Sequence, residues 1–133
     1  MLEHKELLKK NNFESQLNKL CCKLKNKKIL IYGAGLFLKS VKENYDLSSL
    51  NIIGISDKKY KIEQYNELDF DYKIVPYSKI KEIEFDCVLI ATLNTFNIYQ
   101  NLKKDFKNKK IIILPLMEKT FFELLKEAFF LWI

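Results

Sequence analysis

Apolar residues follow two rhythms along this 133-residue chain. Between residues 2 and 24 they recur at steps of mostly three and four: Leu2, Leu7, Leu8, Phe13, Leu17, Leu20 and Cys21, with Lys and Asn between them. That spacing predicts amphipathic helix, and Asn11-Asn12 offers a break into two. From Ile29 onward, short unbroken apolar runs alternate with helical stretches. Residues 29–32, 52–56, 73–75, 87–91 and 111–114 predict strands. Residues 29–32 show no polar alternation, as expected of a strand covered on both faces, and 52–56 reads as a second strand of that type. Residues 36–45, 78–82 and 95–106 predict helices, with Ser78 as the N-cap of the short one and Asn94 or Thr95 capping the third. A final helix is expected over 118–131. Pro76 and Pro115 close the strands they follow. Residues 58–72 mix charged, Tyr and apolar residues without Gly or Pro, which predicts a long loop or a short irregular helix.

Strand and helix therefore alternate about five times. Parallel neighbours need crossover connections, so the pattern predicts an α/β protein. The expected architecture is a doubly wound, mostly parallel five-stranded sheet of order 3-2-1-4-5, Rossmann-like, with extra N- and C-terminal helices. We expect a single domain: a helical segment over 1–26, a βα core over 27–115 and an apolar helix over 116–133. In such a sheet ligands bind at the carboxyl ends of the strands where the order reverses, here between the first and fourth strands. That places residues 33–37, Asp57 and residues 92–95 around one crevice.

Composition narrows the choice of ligand. The net charge is +6, and all 23 basic residues are Lys. Without the guanidinium fork, bidentate recognition of bases and phosphates is lost. The lysines are also scattered, so no nucleic-acid partner is expected. Three Cys, no paired Cys/His spacing and a charged N-terminus without an apolar leader point to the reducing cytoplasm. No run of about 18 apolar residues occurs, so no membrane span is expected. The C-terminal stretch, Phe121 to Ile133, is interrupted only by Glu123, Lys126 and Glu127. It is apolar nearly all round, which favours a homo-oligomer or a protein partner over a membrane surface.

Candidate chemistry centres on Gly33-Ala34-Gly35 after the first strand. Gly33 permits a tight turn, and Gly35 permits a phosphate to approach the backbone. The helix opening at Leu36 and Phe37 offers uncapped N–H groups and the positive end of its dipole. The third fingerprint glycine would fall at Leu38, so the motif is incomplete. The alternative is a turn kept for folding in a domain that binds nothing. Asp57, 22 residues after Gly35, can accept both hydroxyls of a ribose; it would repel a 2′-phosphate, with Lys58 and Lys59 softening that repulsion. It could also be a strand-end turn residue. Thr92 and Asn94 could meet a base, ribose or sugar, or serve the following helix. The only His is His4, so no triad or His-rich metal site can form. Tyr77 and Lys81 match a Tyr-x-x-x-Lys spacing, but too early in the chain for that dehydrogenase pair. Tyr32 reads as a packing residue and Cys87 as a small buried hydrophobe.

The series strand-GAG-helix, IIGISDKK, a strand-end IVP and FDCVLIAT resembles the small Rossmann-type domain of bacterial polysaccharide-biosynthesis proteins. Such domains occur in nucleotide-sugar dehydratases and epimerases, sugar acyltransferases and sugar methyltransferases. The likeness covers roughly residues 27–115. It implies a nucleotide-containing small molecule as ligand, a nucleotide sugar or NAD. Gly33, Ala34 and Gly35 would meet phosphate or ribose, Asp57 ribose or base, and Thr92 and Asn94 the region beyond the fourth strand. Leu38 departs from the small residue of many relatives, and no catalytic partner domain is expected within these 133 residues. The expected function is a stand-alone binding module accessory to surface-polysaccharide assembly. The alternatives are a small NAD-dependent or nucleotide-sugar-modifying enzyme completed by oligomerisation, and a protein-interaction subunit with an empty crevice.

Overall fold

A computed structural model describes residues 3–60 and 71–119. The helical rhythm at the N-terminus gives α1 (His4–Lys10) and α2 (Phe13–Lys23). The break falls at Asn12, which adopts a left-handed φ of 52°, a conformation Asn tolerates better than most residues. Asn11 stitches the corner: its side-chain amide donates to the Leu7 carbonyl at 2.9 Å, and its own carbonyl accepts from Gln16 at 2.8 Å.

The alternating part follows as β1 (Ile29–Tyr32), α3 (Leu36–Asn44), β2 (Ile52–Asp57), β3 (Ile74–Pro76), a 3₁₀ turn (Tyr77–Glu82), β4 (Cys87–Ile90), α4 (Thr95–Asp105) and β5 (Ile112–Pro115). All five strands are parallel, in the order β3-β2-β1-β4-β5. The expected strand order and parallel sheet are thus observed. Tyr32 pairs with Ser56 on one side and Ile90 on the other, so the ends of β1, β2 and β4 lie level.

Two apolar layers sandwich the sheet. One packs Leu8 of α1, Phe13 and Leu17 of α2, and Phe37, Leu38 and Val41 of α3 against Ile29, Ile31 and Ile55. The other packs Ile80 of the 3₁₀ turn and Leu102 of α4, with Phe106, against Leu30, Val88 and Ile90. This is why β1 and β4 are apolar at every position: each successive side chain meets a different covered face. Leu38, at the place of the absent glycine, is fully buried in the first layer.

Several boundaries move. Pro76 is the last residue of β3, opposite Asp57, and Pro115 the last of β5, opposite Ile90. Proline is tolerated on these edge strands because no further ladder needs its missing N–H. The short helix expected from Ser78 is a 3₁₀ turn that starts at Tyr77, with Pro76 rather than Ser78 in the cap position. Six residues form too few i to i−4 bonds to favour an α-helix, and Tyr77 is held back against Tyr32. After β5 the chain returns to α2: the Gln16 amide donates to the Glu118 carbonyl at 2.8 Å and accepts the Glu118 N–H at 2.7 Å. The final helix expected over 118–131 and most of the 58–72 connection lie outside the described residues.

Candidate functional site

The glycine turn is built around one backbone need. Gly33 has φ +113°, a conformation that L side chains rarely adopt. A Cβ there would stand 2.6 Å from Thr92 Cγ2 and 2.9 Å from the Ala91 carbonyl. The turn therefore packs hard against the β4–α4 loop, and the Gly33 N–H donates to the Ser56 carbonyl at 2.8 Å. Gly35 differs: a Cβ added there would have nothing within 4 Å. It occupies the N-cap position of α3, and no side chain caps that helix. The first-turn N–H groups of α3 thus have no side-chain cap, at the positive end of the helix dipole.

Asp57 turns toward this bend. One carboxylate oxygen accepts the Ala34 N–H at 2.8 Å, and the other accepts the Lys59 N–H at 3.1 Å. Each oxygen keeps a further lone pair for a second donor. Lys59 folds over the same turn, its ammonium donating to the Ala34 carbonyl at 2.7 Å. Lys58 goes the other way, its ammonium lying 5.7 Å from the centre of the Tyr77 ring. The adjacent lysines thus serve opposite faces of the sheet edge.

The remaining expected site residues divide. Ala34 and Phe37 are buried, and Phe37 packs edge-on against His4, so Phe37 offers the crevice its backbone and not its ring. Leu36 is 73% exposed and Phe96, the second residue of α4, is 72% exposed, giving the crevice two apolar rims. The Thr92 methyl crowds Gly33, while its hydroxyl is buried without a partner. Asn94 holds the N-cap position of α4, but its side chain makes no cap bond; it accepts from the Asn97 amide at 3.2 Å. Thr95 reaches back to the Thr92 carbonyl at 3.1 Å. Both helices that begin at the switch point therefore open without a side-chain cap.

On the α4 face of the same edge lies a cluster the spacing of residues does not announce. Tyr77 hydrogen-bonds the Asp105 carboxylate and meets the Tyr32 ring edge-to-face at 5.7 Å. Burial, reinforced by the Asp105 bond, pushes the Tyr77 phenol well above its ordinary pKa. Burial, then the Asp57 charge, raises Tyr32 as well, partly offset by an N–H bond from Lys58. Both phenols stay protonated at neutral pH. Tyr77 is thus paired with Asp105, not engaged as the acid of a Tyr-Lys dyad. Cys87 is fully buried, and burial raises its thiol to about 12, so it is no nucleophile. Among the described residues no group of His, Cys, Asp and Glu could hold a metal ion, and no helix is long and apolar enough to cross a membrane.

A parallel five-stranded sheet with an open glycine turn at its reversal point defines a Rossmann-like α/β protein. Residues 25–113 match the family model described as C2185-like, N-terminal, and the chain belongs to that family. A search of curated proteins finds no match.

Proposed function

We propose that this protein binds a nucleotide or nucleotide sugar at the carboxyl edge of its sheet, as an accessory module of surface-polysaccharide assembly. The observation that carries the reading is the contrast between the two glycines of the turn. Gly33 is filled from behind by Thr92, whereas the space in front of Gly35 is open at an uncapped helix start. A phosphate fits that space because it accepts the α3 N–H groups and sits at the favourable end of the dipole. Asp57, fixed against the same turn, is in place to accept ribose hydroxyls through its spare lone pairs. Its charge disfavours a 2′-phosphate there, so NAD is preferred to NADP if a dinucleotide is bound. The glycan context rests on the resemblance of the sequence motifs. A cytoplasmic setting agrees with three free cysteines, and the apolar stretch 121–133 is the proposed contact with a second copy.

Thermal-shift and calorimetric titrations with UDP- and GDP-sugars and NAD test the reading on wild type and Gly35→Val. Gly35 has φ −107° and ψ −162°, extended backbone open to any residue, so Val leaves the fold intact. A bound nucleotide raises Tm by mass action, and Gly35→Val should lower its affinity at least about tenfold by filling the approach to the N–H groups. No nucleotide response in wild type, or equal affinity in the variant, overturns the proposal.

A further inference from the structure

The α4 side of the sheet edge holds a second cleft, lined by Tyr32, Lys58, Tyr77, Ile98, Asn101 and Leu102. It is distinct from the glycine turn. Tyr32, Ser56 and Val75 form one row across β1, β2 and β3, and Tyr32 and Val75 belong to the α4-side layer. The open space is small, about 20 Å³. That admits one small group of a ligand rather than a nucleoside.

The polar atoms at this cleft are mostly donors. Tyr32 accepts the Lys58 N–H, which leaves its own phenolic proton to give away. The Lys58 ammonium rests on the Tyr77 ring, and among the described residues no carboxylate pairs with it. Asn101 adds an exposed amide. Asp105 is not among the lining residues; its carboxylate accepts the Tyr77 O–H, and its charge and that of Asp57 act on Tyr32 from outside the cleft.

We propose that this cleft takes a small oxyanion, the carboxylate or phosphoryl group of a small-molecule ligand, held by Lys58, Tyr32 and Asn101. Carboxylate and phosphoryl oxygens are strong acceptors that match converging ammonium, phenol and amide donors. The assignment stands apart from the nucleotide reading, because none of these side chains forms the glycine turn.

The test is a ¹H–¹⁵N titration of the full chain with inorganic phosphate and, separately, with acetate, at constant ionic strength. Saturable shifts are expected at the amides around Lys58, Tyr77 and Asn101. Lys58→Met should weaken the response at least about tenfold and Asn101→Ala severalfold, while Lys107→Met, on the surface beyond α4, should leave it unchanged. Saturation by phosphate alone assigns a phosphoryl group, and by acetate alone a carboxylate. Shifts that fail to saturate, that spread over the exposed lysines, or that persist in Lys58→Met overturn the proposal. Gly35→Val separates the two sites. It should weaken a nucleotide response at least about tenfold and spare this one, so each reading can fail without the other.

Discussion

Replacing Gly33 by Ala places a methyl group where the structure has no room. The new Cβ would lie 2.6 Å from Thr92 Cγ2, 2.9 Å from the Ala91 oxygen and 3.1 Å from the Ala91 carbon. Two of these atoms are backbone of the β4–α4 loop and cannot rotate aside. Forcing a residue with a Cβ into φ +113° adds about 1–3 kcal/mol of strain. Overpacking adds about 1–3 kcal/mol more. The stiffer unfolded chain returns about 0.4–1 kcal/mol. The net expectation is a loss of about 2–5 kcal/mol, a large part of the about 5–15 kcal/mol that holds a domain together. Urea unfolding followed by circular dichroism reads this directly, since the midpoint should fall by about 1–2 M. Thr92→Ser in the Gly33→Ala background removes the closest contact but neither the Ala91 contacts nor the strain. It should therefore recover about 1 kcal/mol and no more. Gly35→Ala, with open space around its Cβ, should stay within about 1 kcal/mol of wild type. Gly33→Ala as stable as wild type, or a full recovery by Thr92→Ser, would refute the argument that this turn is defined by its packing against β4.

Other expectations follow from the same contacts. Leu38→Ala should cost about 2–5 kcal/mol by urea unfolding, because the side chain is fully buried between α3 and the N-terminal helices. Asp57→Asn keeps an acceptor for the Ala34 N–H but removes the charge, so stability should fall by less than about 2 kcal/mol while calorimetry shows weaker nucleotide binding. Stability should also decline as pH rises above about 9. Cys87 ionises near 9.0 in an ordinary setting but near 12 here, so between those values the unfolded chain sheds a proton the folded chain keeps. The slope is about 1.4 kcal/mol per pH unit for this one group, and Cys87→Ala should remove that share, leaving the contribution of Tyr32 and Tyr77 above pH 10. A thiol reagent at pH 8 should modify exposed Cys22 before half-buried Cys21, whose pKa burial raises, and should reach Cys87 only on unfolding.

Much of this architecture is written in local pattern. Apolar runs of four residues, such as 29–32 and 87–90, have no polar partner side to offer water, so they require cover on both faces. Two glycines directly after the first of them force a turn at a strand end. The break at Asn11-Asn12 is legible because consecutive Asn residues favour corners over helix interiors. Boundaries were less legible where a distant contact decided them. Tyr77 begins its turn one residue early because it docks on Tyr32 and bonds Asp105, 28 positions away. No local spacing encodes that partner.

The same division holds at the candidate site. Chain order places the glycine turn, Asp57 and the 92–95 loop at one sheet edge, since crossover topology leaves few alternatives. Side-chain direction is another matter. Neighbouring Lys58 and Lys59 are chemically identical, yet one lies on the Tyr77 ring and the other over Ala34. Phe37 and Leu36 are both apolar, yet one is buried against His4 and the other faces solvent. Periodicity and glycine placement act over a few residues and are therefore written along the chain. Which atom meets which depends on surfaces that exist only after the sheet and its two helical layers have closed.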